Sequence, residues 1–217
     1  MSSLAQRCRD LIVDLKLGRE SDAVSAAPLA GGVSSDIARV EIGGACYCAK
    51  FALEKLKVDA EWRAPVRRNA AEYRWLEFVG TIAPESVPRL YGRSEKCNGF
   101  VMEFLGASDV RNWKNTLLQR GPGDGEAQAV GALLGRIHGA SAAPAFDRAA
   151  FRNHEDFWAL RLEPYLQNMI AKHPDLAVPL HGLIARYRDA ECALIHGDVS
   201  PKNILFRGCV PVLLDAE

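Results

Sequence analysis

Apolar side chains near the start of the chain fall at Leu4, Cys8, Leu11, Ile12 and Leu15. Spacings of three and four put them on one helical face, and Ser2 or Ser3 stands where an N-cap belongs. An amphipathic helix is predicted over 3–16. The pattern changes in Pro28-Leu-Ala-Gly-Gly-Val-Ser-Ser-Asp36, a stretch of small and turn-forming residues. Beyond it, β-type runs at 37–42 and 45–51 flank Gly43-Gly44 and predict a hairpin. A helix is predicted over 59–79, carrying Ala70, Ala71, Tyr73, Trp75, Leu76 and Val79, with Pro84 and Pro88 closing the segment. Runs at 90–91 and 99–105 predict two further strands. Residues 28–105 thus read as a mostly antiparallel sheet with one inserted helix.

The second half is patterned differently. Val130, Leu133, Leu134 and Ile137 recur at helical spacing within 126–142, which predicts a buried helix with His138 packed on it. Two more helices are predicted at 155–171 and 176–190, with Pro174 and Pro179 limiting where the latter begins. Short strands are expected at 193–195, 204–206 and 210–214, with a turn at Gly208. Sheet with one helix, then helices, then a polar loop between strands is an α+β order.

Composition excludes several classes. Of 217 residues, 48% are hydrophobic, enough for a buried core and too many for a disordered chain. The 27 Lys and Arg balance the 27 Asp and Glu, so no electrostatic pull toward nucleic acid or an anionic membrane is expected. No apolar run approaches the roughly eighteen residues of a membrane span. Arg7, Arg9 and Asp10 interrupt the stretch where a signal peptide needs its apolar core. Cysteines at 8, 46, 48, 97, 192 and 209 lack regular spacing, so reduced thiols and a cytoplasmic location are expected. Cys46 and Cys48 have no second pair or nearby histidine and do not read as a zinc site. The pattern carries no signal of oligomeric state.

The chemistry concentrates in His196-Gly-Asp-Val-Ser-Pro-Lys-Asn203 and in Leu213-Leu-Asp-Ala-Glu217. Phosphoryl transfer needs a carboxylate to orient the attacking hydroxyl, hard oxygen ligands for Mg²⁺ and a cation for the α and β phosphates. Asp198 fits the first role, Asn203 and Asp215 the second. Lys50 lies mid-strand among apolar neighbours, fits the third and needs an acidic partner. Glu72 is the leading candidate, with Glu61 and Glu77 nearby. Gly31 and Gly32 permit close backbone approach to a phosphate, and Ser34 and Ser35 add hydroxyls. This turn is neither a full Gly-x-Gly-x-x-Gly pattern nor a Walker P-loop. His196 reads as a structural hydrogen-bonder of its loop. His154, Glu155, Asp156, Arg161, Glu163 and Tyr165 read as a solvated helix face, with an acceptor pocket as the alternative. Each of these residues also has a plain structural reading, and their occurrence together in one order is what separates the two.

In that order the residues resemble the aminoglycoside phosphotransferase and choline kinase-like family of small-molecule kinases. His196-Gly-Asp-x-x-x-x-Asn203 is similar to its catalytic loop, Leu214-Asp-Ala-Glu217 to its metal segment, and Lys50 with Glu72 to its lysine–glutamate pair. Leu134-Gly-Arg-Ile-His138 is similar to a helix upstream of that loop. The resemblance implies a bilobal, protein-kinase-like α+β fold. An N-lobe would span 1–106 with a hinge at 102–106. A partial C-lobe would span 107–217, with the catalytic loop at 196–203 and the metal segment at 213–217. It implies that Glu103 and Leu105 lie where backbone groups meet adenine. It further implies ATP and Mg²⁺ as cofactors, and a small-molecule hydroxyl acceptor, aminoglycoside-like or a polar metabolite, as partner.

One departure matters. Members of that family usually continue with a helical segment beyond the metal aspartate, whereas this chain stops at Glu217. A truncated chain is therefore expected, with part of the acceptor pocket missing and strand 210–214 partly uncovered. The alternative function is a nucleotide-binding pseudokinase, or an inactive fragment acting as an interaction module. A protein kinase proper fits less well, because Gly197 stands where His-Arg-Asp has arginine and Asp-Ala-Glu replaces Asp-Phe-Gly.

Overall fold

The computed structural model describes residues 3–29, 34–57 and 62–216. The first helix, α1 (Leu4–Asp14), opens on Ser3, whose hydroxyl accepts from the Gln6 N–H at 3.2 Å. Five strands follow: β1 (Ser25–Pro28), β2 (Ser35–Ile42), β3 (Ala45–Ala52), β4 (Leu90–Ser94) and β5 (Gly99–Glu103). They form one antiparallel sheet in the order β1-β2-β3-β5-β4. Strand side chains alternate between faces. Ala38, Val40, Ala49, Phe51 and Val101 pack with Cys8, Leu11 and Ile12 of α1. Fully burying Leu11 and Ile12 stabilises by roughly 2 kcal/mol each. Cys48, Phe100 and Met102 face the other way, against α2 (Arg68–Ile82), through Trp75, Leu76 and Val79. Lys50, two residues after Cys48, shares that second face.

Helix α2 starts later than the predicted 59. The chain before it is held in a hairpin-like pairing, with Leu56 N–H donating to Trp62 O and Ala64 N–H to Glu54 O, both at 3.0 Å. Pro65 follows, and the residue before a proline is biased away from helix. Arg68 then anchors the first turn. Its guanidinium donates to Ala64 O (3.0 Å), Pro65 O (2.9 Å), Leu53 O (2.7 Å) and Ser34 O.

The second half contains α3 (Trp113–Arg120), α4 (Glu126–Ala142), a helical stretch from 154 to 172, and α7 (Ala177–Asp189). The stretch begins as α5 (His154–Phe157), widens to a π-helix over Trp158–Gln167 and ends as α6 (Asn168–Lys172). Pro164 lies inside the wide portion, where a missing N–H and a ring clash disfavour the regular ladder. A small sheet pairs β6 (Arg111–Asn112), β7 (Ile204–Arg207) and β8 (Val210–Leu213). Val130, Leu133 and Ile137 of α4, Phe206 of β7 and Leu213 of β8 join Trp75, Leu76 and Phe100 in one core.

Several sequence expectations are corrected. Residues 193–195 form no strand. Leu194 N–H donates to the Ser141 hydroxyl (2.9 Å) and Ile195 O accepts from the Trp75 indole (3.1 Å), so side chains take those backbone groups. His138 is exposed, because one residue of helix rotation carries it away from Ile137 on the buried face. Strand β8 is not uncovered, since Val212 and Leu213 are wholly buried. Strand β6 and helix α3 had no periodic signal and were not anticipated. All six cysteines are free thiols. Among the described residues, no helix is long and apolar enough to cross a membrane.

Candidate active site

Three distant segments converge on the ammonium of Lys50. Strand β3 carries the lysine and α2 presents Glu72, whose Oε1 lies 2.6 Å from Nζ. The residues after β8 present Asp215, whose Oδ1 also accepts from Nζ. Burial alone would lower the lysine, yet the charges of Asp215 and Glu72 raise it above an ordinary ammonium. Lys50 holds the Asp215 carboxyl below the usual carboxylate range in return. Asp215 adopts a left-handed backbone (φ 64°), which few non-glycine residues do. Glu77 is exposed and takes no part in the cluster. Glu61 lies outside the described residues.

The polar loop is built around its own backbone. Gly197 has φ 85°, a conformation that favours glycine. The ring of His196 stands edge-on to Trp75 at 4.9 Å, and its Nδ1 accepts from the Asp198 N–H at 3.3 Å. Burial pushes its imidazole down to about 4, against the pull of Asp215 and Asp198. His196 is therefore neutral near pH 7 and shapes the loop, as read from the sequence.

Asp198 Oδ2 accepts from Lys202 Nζ at 2.8 Å and Asn203 Nδ2 at 3.0 Å, and forms an ion pair with Arg161 Nη2 at 3.2 Å. Burial pushes this carboxyl up, but the Lys202 hydrogen bond and the Arg161 charge outweigh it and hold it below the ordinary range. Asn203 Nδ2 also donates to Asp198 O at 3.1 Å. With its nitrogen so engaged, the amide presents its oxygen elsewhere. Asn203 O accepts from Leu214 N–H at 3.0 Å, which sets Asn203 and Asp215 side by side at the open end of the β7–β8 hairpin.

One amide oxygen and one carboxylate are a hard-oxygen donor set that fits Mg²⁺, which keeps waters and takes few protein ligands. Among the described residues there is no cluster of three or more His, Cys, Asp or Glu that would cage a metal by itself.

Ser34 and Ser35 are buried beside Glu72 and Asp215, around a cavity of only about 10 Å³. Their backbone groups are used internally: Ser34 O accepts from Arg68 and Leu53, and Ser35 O from Lys57. Gly31 and Gly32 lie outside the described residues. Glu103 ends β5, where its N–H donates to Arg89 O (2.7 Å) and its Oε1 accepts from Arg207 (2.9 Å). Leu105 lies two residues further, in the connection to the second half.

Sequence reasoning missed Arg68 and Lys202, and placed Arg161 on a solvated helix face with an acceptor pocket only as the alternative. Lys202 stands in the quoted loop, at the i+4 position from Asp198. Asp156 and Arg161 correct the reading of a solvated helix face, because Asp156 is buried and the Arg161 side chain is only 17% exposed. The π-helical turn changes which side chains face inward, and a regular helical period does not reveal that.

Solved structures share this architecture. A protein assigned as a fructosamine-3-kinase from Thermobifida fusca aligns with a TM-score of 0.56 and 23% identity, over 99% of this chain and 73% of that one. LicA in complex with AMP gives 0.57 and 12%, over 100% and 69%. The choline kinase LicA from Streptococcus pneumoniae gives 0.52 and 12%, over 100% and 69%. At such identities the likeness establishes the fold alone, which is the bilobal, protein-kinase-like α+β arrangement. No curated protein matches the chain. Residues 25–215 match the model of the phosphotransferase enzyme family, and the chain belongs to that family.

Proposed function

We propose that the chain transfers the γ-phosphate of Mg²⁺-bound ATP to a hydroxyl of a small molecule, an aminoglycoside-like compound or a polar metabolite. The observation that carries this reading is the meeting of Lys50, Glu72 and Asp215 from segments far apart in sequence. A buried ammonium between two carboxylates is aimed, and its raised affinity for protons keeps it cationic for phosphate.

The two lobes would divide at 106, with the backbone around Glu103 and Leu105 meeting the adenine. Lys50 would hold the α and β phosphates, with Glu72 as its positioning partner. Ser34 and Ser35 would support the turn containing Gly31 and Gly32 over the phosphates. Asn203 and Asp215 would hold Mg²⁺, which when bound neutralises phosphate charge. Both side-chain hydrogen bonds to the Asp198 carboxylate, and its ion pair with Arg161, meet Oδ2, and among the described residues no hydrogen bond to Oδ1 is found. Oδ1 would receive the acceptor hydroxyl. A carboxyl held below the usual range is a weak base, so Asp198 mainly orients that hydroxyl until its proton leaves late in the transfer.

The test is Asp198→Ala assayed with labelled ATP over a panel of hydroxyl compounds. Turnover should fall at least about 100-fold while Mg·ATP affinity stays within about threefold. Unchanged turnover would contradict the assignment. Mg·ATP binding by the unmodified chain with no transfer to any acceptor would favour a pseudokinase.

A further inference from the structure

A cavity of about 330 Å³ opens between α2, α5 and the end of α7. None of Lys50, Asp198, Asn203 and Asp215 is among the described residues that line it. Its aromatic lining comes from separate elements. Phe146 and Phe151 stack at 5.1 Å, and Phe157 and Tyr187 stand tilted at 6.5 Å. Trp75 closes it from α2. That wall is fixed, because the Trp75 indole donates to Ile195 O at 3.1 Å and its ring meets His196 edge-on at 4.9 Å. Small-molecule sites run from roughly 300 to 1,000 Å³ and are lined mainly by such side chains. A preformed aromatic cavity at the lower end of that range fits a flat ring.

The charges around it are unequal. Arg148, Arg152, His154 and Glu191 line the cavity. The Glu191 carboxylate is taken by Arg152 at 3.0 Å and by His154 at 3.3 Å. Among the described residues, Arg148 has no ion pair, and its one hydrogen-bond partner is the neutral backbone carbonyl of Glu191 at 3.2 Å. Charged groups at adjoining positions are engaged elsewhere. Asp147 accepts from Ala149 N–H at 3.1 Å, and Arg74 donates to Ala150 O at 3.3 Å. Asp189 pairs with Arg188 at 3.4 Å, Glu155 pairs with Arg67, and Asp156 lies 3.6 Å from Arg67. Two arginines against one glutamate leave the lining positive, and His154 can only add to it.

From these observations we infer that the cavity binds a planar aromatic carboxylate, with its ring between the aromatic side chains and its carboxylate on Arg148. A guanidinium holds a carboxylate through two parallel hydrogen bonds. Charge complementarity selects the acid over a neutral or cationic ring, and the aromatic walls select a ring over an aliphatic acid. The site needs neither nucleotide nor metal, so it goes beyond the phosphotransferase reading and does not depend on it.

The test is calorimetric titration of the unmodified chain, without nucleotide, with naphthoate, naphthalenemethanol and hexanoate. Naphthoate should bind at one site per chain, about tenfold or more tighter than either the neutral ring or the aliphatic acid. Arg148 is exposed, so its replacement spares the core. Arg148→Met should bring naphthoate down to the level of naphthalenemethanol. Tyr187 is 50% exposed, and Tyr187→Ala should weaken both ring probes about threefold or more. No saturable binding of naphthoate, equal binding of the three probes, a preference that survives Arg148→Met, or ring binding indifferent to Tyr187→Ala would overturn the inference. Each of those results would leave the kinase reading standing, because no step of the titration involves ATP.

Discussion

Replacing Lys50 by methionine removes the ammonium that Glu72 and Asp215 share. The change conserves length and apolar stem, so the packing loss is small and the effect is electrostatic. The side chains of Lys50 and Glu72 are 3% and 10% exposed, which leaves little water to screen the two carboxylates from each other. Breaking a buried pair by removing one partner costs about 3 to 5 kcal/mol. The molecule has one escape, which is to protonate a carboxylate. For a group of ordinary pKa near 4.3, that costs about 3.7 kcal/mol at pH 7 and about 1 kcal/mol at pH 5. The expected destabilisation is therefore about 3 to 4 kcal/mol at pH 7, shrinking to about 1 kcal/mol at pH 5. Urea unfolding followed by tryptophan fluorescence, with Trp75 in the core, reads both values. A loss under about 1 kcal/mol at pH 7, or a loss equal at the two pH values, would refute the reasoning.

Other outcomes follow from the same geometry. Folding holds His196 neutral, with a pKa near 4 against about 6.5 unfolded, so the unfolded chain binds the extra proton between those values. Its contribution is full above pH 6.5 and falls by up to about 3 kcal/mol as pH drops toward 4. The stability–pH slope of His196→Asn should be flatter in that window, and an unchanged slope would contradict this. A Cβ at position 99 would meet the Phe51 ring at 2.6 Å and Leu11 at 3.2 Å, so Gly99→Ala should destabilise by about 1 to 3 kcal/mol. A thermal melt of that variant checks it, and wild-type stability would count against the packing described. Trp62→Phe removes the hydrogen bond to Ala159 O and should speed hydrogen exchange in 158–167. Unchanged protection there would mean that the turn is held by other contacts.

Much of the arrangement could be read in the chain because its signals are local. Gly43-Gly44 marks the β2–β3 hairpin, and alternation along β3 puts Lys50 on the face toward α2. The spacing of Val130, Leu133 and Ile137 marks α4 with its observed bounds. Lys50, Glu72, Asp198, Asn203 and Asp215 were singled out by residue type and order, and the structure brings the first two to Asp215, and Asn203 to Asp198. What escaped depends on tertiary partners. The pairing of 54–56 with 62–64 delays α2, and Ser141 with Trp75 takes the backbone groups that a strand at 193–195 needed. Arg161 was read first as part of a solvated face because the π-helical turn that aims it has no periodic signature, and Asp198 is more than thirty residues away.

The central claim is that Lys50, Asn203 and Asp215 grip a metal-bound triphosphate. Calorimetric titration of ATP with and without Mg²⁺, on the unmodified chain and on Asp215→Asn, tests it most directly. The account predicts that Mg²⁺ tightens ATP binding at least about tenfold and that Asp215→Asn removes most of that gain. ATP binding that is indifferent to Mg²⁺, or a gain that Asp215→Asn leaves intact, would contradict it.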